Sequence, residues 1–63
     1  MRAIPVDIYD KDGNLVKIEV TNPEGEFIIQ SLWDPTDEQT HENRVNFRTW
    51  TYNHLRKIGY EID

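Results

Sequence analysis

Twelve acidic side chains against seven basic ones give this 63-residue chain a net charge of −5. That length makes one small domain, residues 1–63, too small to bury a large core and also enclose a deep cofactor cleft. With no cysteine there is neither a disulfide framework nor a thiolate zinc site. No apolar run approaches the roughly 18 residues of a membrane span, and the amino terminus shows no charged-then-apolar leader pattern. A cytoplasmic protein with no membrane partner is therefore expected. The charge is uneven: residues 1–42 hold ten acids against Arg2, Lys11 and Lys17, whereas 43–63 are net basic.

Residues 3–9 alternate, with Ile4, Val6 and Ile8 on one side and Pro5, Asp7 and Tyr9 on the other, as in a half-buried strand. Pro5 has no N–H, which sets it at a sheet edge or outside the ladder. Leu15 to Val20 alternates likewise, and Lys11-Asp12-Gly13 fits a three-residue turn closed by a left-handed glycine. Pairing Asp10 with Asn14 then sets Ile8 opposite Val16, Val6 opposite Ile18 and Ile4 opposite Val20, all six on one inner face. Asn22-Pro23-Glu24-Gly25, read as a four-residue turn, pairs Val20 with Phe27 and Ile18 with Ile29 on a third strand, Glu26 to Leu32.

Asp34 to Ile58 reads as one long helix. Either Asp34 caps it with Pro35 in the first helical position, or Thr36 caps it with Gln39 closing a capping box. Gly59 is the left-handed stop. Phe47, Trp50, Thr51, His54, Leu55 and Ile58 form a stripe at helical spacing, and its job is to close the core. Thr36 to Asn43 has no large apolar side chain, so this part overhangs the sheet or frays. Residues 60–63 add a short parallel strand. The fold expected is α+β: a three-stranded antiparallel β-meander with one C-terminal helix across one face, in β-β-β-α-β order.

The catalytic signals do not assemble. His41 and His54 are thirteen residues apart, Ser31 lies in a strand, and the three glycines are isolated turn or cap residues rather than a phosphate loop. His54 reads as a core-edge histidine. Glu38 and His41 have the Glu-x-x-His spacing of carboxylate metal sites, but the chain supplies one such motif where two are needed. Asp10-x-Asp12-x-Asn14 opens like a calcium loop, yet Leu15 stands where glycine is required. No enzyme, cofactor or metal is expected.

Three surfaces remain. Glu24, Glu26, Asp34, Asp37, Glu38 and Glu42 make an acidic surface suited to a basic site on a larger protein, even as a charge mimic of nucleic acid. Tyr9, Leu15 and Leu32 fall together on the outer sheet face, with Trp33 following, as an apolar contact. Arg44 and Arg48, with Thr51 and Leu55, are spaced along one helix side where guanidinium groups contact phosphates, although the overall acidity opposes nucleic acid. The leading expectation is a non-enzymatic interaction module, an inhibitor or regulator of a larger protein. A nucleic-acid binder using Arg44 and Arg48 is the alternative, and a structural homo-oligomer such as a homodimer is the third.

Overall fold

The computed structural model describes all 63 residues: β1 (Arg2–Tyr9), β2 (Leu15–Thr21), β3 (Phe27–Leu32), α1 (His41–Lys57) and β4 (Glu61–Ile62). The sheet order is β3-β2-β1-β4, antiparallel except for β4, which runs parallel to β1. This is the expected α+β meander with its helix on one face and a short fourth strand. No helix is long and apolar enough to cross a membrane.

Two loops of one design build the meander. In the first, the Asp10 N–H donates to the Asn14 carbonyl at 2.9 Å, and Gly13 takes φ +82°. Asp10 Oδ1 accepts from the N–H groups of Asp12 and Asn14. In the second, Asn22 and Glu26 take the places of Asp10 and Asn14, Gly25 has φ +85°, and Asn22 Oδ1 accepts from the N–H groups of Glu24 and Glu26. In each loop a short side-chain acceptor closes the turn locally and glycine supplies the left-handed residue. The second loop is one residue shorter than the sequence implies, because Asn22 and Glu26 already bond across it.

The register departs from the sequence expectation just beyond both loops. Tyr9 does face Leu15, but a bulge follows, and Ile8 then faces Lys17, Asp7 faces Ile18 and Pro5 faces Val20. One extra residue in a ladder reverses the alternation past it. A second irregularity between Val20 and Thr21 sets Val20 against Ile29 and Ile18 against Ser31, in place of Phe27 and Ile29. Leu15, Ile18 and Val20 all end on the helix side, each at most 1% exposed. Ile4, Val6 and Ile8 turn to the open face instead. Ala3 joins Ile18, Val20 and Leu55 in the core.

Pro5 fits its strand without a lost bond. The Met1 and Ala3 carbonyls accept from Glu61 and Asp63 of the β4 segment, so odd-numbered backbone groups of β1 face that side. Since β4 reaches only Ala3, the Pro5 nitrogen points past its end.

The helix begins later than the sequence implies. Its N-cap is Thr40, whose hydroxyl accepts from the Asn43 N–H at 3.1 Å, and residues 34–39 are non-helical, with one turn at 35–37. Asp34 Oδ1 accepts from both the N–H and the hydroxyl of Thr36, and the Asp37 N–H donates to the Asp34 carbonyl. Such local bonds compete with helical ones, and no buried side chain in this stretch favours the helix. At the other end, Gly59 has φ +100° and stops the helix as expected.

The helix is also rotated relative to its expected stripe. Thr51 and Leu55 are buried and Phe47 is half-buried, but Trp50, His54 and Ile58 are exposed. The row facing the sheet is Arg44, Arg48, Thr51 and Leu55, spaced four, three and four residues apart. Polar partners wait for it there. Arg48 Nε donates to Asp7 Oδ2 at 2.8 Å, and its terminal nitrogen donates to the Tyr9 hydroxyl at 3.1 Å. Thr51 Oγ1 lies 2.8 Å from Ser31 Oγ and 3.0 Å from the Phe47 carbonyl. A hydroxyl has one hydrogen, so Thr51 donates to Phe47 and accepts from Ser31. No buried side-chain polar atom is left without a partner.

Candidate partner-binding surface

All six acidic side chains named from the sequence are exposed. The ion pairs of the molecule are Arg2–Asp63, Lys17–Glu19 and Arg48–Asp7, so none of the six has a cationic partner. They do not form one surface. Glu24 and Glu26 sit on the loop before β3, whereas Asp34, Asp37, Glu38 and Glu42 surround the chain between β3 and the first turn of α1. The six residues of β3 put about 20 Å between the two groups. At the second group, hydrogen bonds from the Thr36 N–H and hydroxyl hold the Asp34 carboxyl below the usual aspartate range.

The arginine row is committed inside the fold. Arg48 is bound by Asp7 and Tyr9, and the Asp7 hydrogen bond raises its pKa above the ordinary arginine value. Arg44 Nε donates to Gln39 Oε1 at 3.1 Å. Arg48 thus joins the helix to β1, and Arg44 joins it to the preceding loop through its Nε.

The apolar quartet is split. Leu15 is 1% exposed beneath the helix, and Tyr9 meets Arg48 on that same side. Leu32 remains exposed, and Trp33 packs edge-on to Phe47 with ring centroids 5.1 Å apart. The bulge after Leu15 is the reason, since it carries Leu15 from the outer face to the inner one. Glu38 and His41 are likewise not paired as helix neighbours, because Glu38 precedes the helix and His41 is its first residue. No three His, Asp or Glu side chains converge as metal ligands.

In place of the quartet lies a groove that sequence reasoning missed. Leu32 and Trp33 form one wall, and Phe47 and Trp50 of α1 the other, around about 410 Å³. Asp34 and Asp37 lie along it on the loop side, and Asn43 and Asn46 on the helix side. The Trp33 indole N–H donates to the Asp37 carbonyl at 3.2 Å, pinning the loop wall. Trp50 is 63% exposed, with its ring parallel to that of His54 at 6.1 Å between centroids. Asn43, Asn46 and Trp50 recur at helical spacing, which was the available signal, but the aromatic stripe concealed it by placing Trp50 in the core.

Comparison of the chain with protein-family models, with curated proteins and with solved structures finds no match.

Proposed function

We propose that the protein is a non-enzymatic acidic binding module that engages a basic surface of a larger protein as an inhibitor or regulator. One observation carries the reading: Glu24, Glu26, Asp34, Asp37, Glu38 and Glu42 are all exposed and none is in an ion pair. Surface carboxylates left without cations create an outward negative field, which steers and orients a positively charged partner. Arg48, by contrast, is taken up within the fold by Asp7.

Affinity capture from cell extract tests the reading. Wild type is compared with a variant carrying Asp34→Asn, Asp37→Asn, Glu38→Gln and Glu42→Gln, and the bound proteins are identified. A basic partner retained by wild type, released by added salt and not retained by the variant is the expected result. Equal recovery of every partner by both proteins would remove the acidic surface from the function.

A further inference from the structure

The groove between Trp33 and Trp50 has properties that folding does not use. An indole that is 63% exposed gives little to the core, and Leu32 beside it is 66% exposed. The volume of about 410 Å³ is near the lower end of the roughly 300–1,000 Å³ range of small-ligand pockets, so it suits one long side chain. No lysine, arginine or histidine lines it, although His54 stacks on the Trp50 indole and takes one of its faces. Its electrostatics favour one sign from two sources. Aromatic faces present negative potential, and Asp34 and Asp37 add formal charge without a counterion. The Asp34 carboxyl is kept ionised by its bonds from Thr36.

We infer that this groove seats one arginine side chain of the basic partner, with the guanidinium over the Trp50 indole and beside Asp34 and Asp37. The inference rests on the reading of an acidic module for a basic protein and adds the anchor by which that protein is held. Arginine suits the site better than lysine, because its planar guanidinium stacks on an aromatic ring while its N–H groups reach carboxylates at its edge. The loop wall is already held by the bond from Trp33 to Asp37, so little ordering is required on binding.

The chain has two tryptophans, so the two indole N–H signals in a ¹H–¹⁵N spectrum report the groove directly. The probes are a short peptide of alternating arginine and serine and the same peptide with citrulline, the neutral isostere, in place of arginine. The arginine peptide is expected to shift both indole signals saturably, and the citrulline peptide to leave them in place. Trp50→Ala is expected to weaken binding roughly tenfold, and Asp34→Asn with Asp37→Asn to do the same, whereas Glu24→Gln with Glu26→Gln changes it about twofold at most. The Asp→Asn pair keeps the test decisive should Trp50→Ala disturb the fold. Equal binding of the citrulline peptide would overturn the inference, because the groove would then recognise apolar chain and not charge. Indole shifts that depend on protein concentration alone would also overturn it, by giving the groove to a second copy. Arginine-peptide binding that maps to Glu24 and Glu26 and survives Trp50→Ala would defeat the anchor and leave the acidic module standing. With no peptide bound and no basic partner captured, both fall.

Discussion

The side-chain amide of Gln39 pairs with both main-chain groups of Leu15. Its Nε2 donates to the Leu15 carbonyl and its Oε1 accepts from the Leu15 N–H, each at 3.0 Å. The amide thus does for the start of β2 what a neighbouring strand does farther along, just past the point where the Trp33 N–H bonds to the Val16 carbonyl. Arg44 Nε adds a second donor to the same Oε1. The clasp ties the loop before the helix to the sheet and spends Gln39 on a tertiary contact instead of a capping box.

Replacing Gln39 by alanine leaves both main-chain groups of Leu15 without their protein partner. The expected cost is about 1–3 kcal/mol, measured as a shift in the urea midpoint at unchanged slope. Gln39→Glu is expected to be destabilising too, since a carboxylate accepts from the Leu15 N–H but faces its carbonyl without a hydrogen. A midpoint for Gln39→Ala equal to wild type would show that the clasp is immaterial.

Ser31 and Thr51 lie buried between β3 and α1, 5% and 0% exposed, and their only cover against desolvation is each other and the Phe47 carbonyl. Thr51→Val strands the Ser31 hydroxyl and is expected to cost about 1–3 kcal/mol, with Ser31→Ala costing less. Combining the two removes both polar groups, so the double variant is expected to be more stable than Thr51→Val alone. Strict additivity of the two costs in denaturation experiments would refute the coupling.

Leu15 and Leu32 look alike in sequence and have opposite environments. Leu15→Ala empties a fully buried position and is expected to lose about 2–5 kcal/mol, while Leu32→Ala, at 66% exposure, stays within roughly 0.5 kcal/mol of wild type. Thermal melting of the two variants side by side distinguishes this arrangement from one in which both leucines share the outer face.

Acid sensitivity is expected to begin at the first loop. The Asn14 N–H and then the Asp12 N–H, both bonded to Oδ1, hold the Asp10 carboxyl below its usual value of 3.8. A carboxyl depressed in the folded state stabilises above its unfolded value and loses that contribution as pH falls through the folded one. The urea midpoint is therefore expected to hold down to about pH 4 and then decline, with Asp34 contributing in the same direction. In Asp10→Asn the decline is expected to be shallower. The loop itself should survive, because Asn22 already accepts the equivalent bonds in the second turn.

What could be read from the sequence was what local chemistry decides. Gly13, Gly25, Gly59 and the Asx residues before the first two place both loops and the helix end, and strand order follows from short loops. The bulge between β1 and β2 was hidden because β1 has apolar residues available to either face: Ile4, Val6 and Ile8 on one side, Ala3 and Pro5 on the other. Alternation alone does not choose between them. The rotation of α1 was hidden for a related reason. Arg44 and Arg48 read as a solvent row until Asp7 and Gln39 are seen beneath them, and that placement depends on the bulge. Three residues, Asp34, Thr36 and Thr40, all resemble helix caps, and the tertiary bond from Gln39 to Leu15 decides for the last. The acidic residues were correctly placed outside, but their division into two groups required knowing where β3 runs.

The outer edge of β3 carries a further consequence. Because Trp33 bonds to Val16 and Ser31 lies opposite Ile18, the main-chain groups of Gln30 and Leu32 point away from β2 into the unpaired edge. Bare edges invite two molecules to fuse their sheets. Antiparallel docking of two β3 strands about Gln30 would set Glu26 of each copy against Asp34 of the other, at both ends of the seam. Like charges would thus meet at both ends of that seam, so neutralising Glu26 and Asp34 is expected to favour a dimer joined through β3.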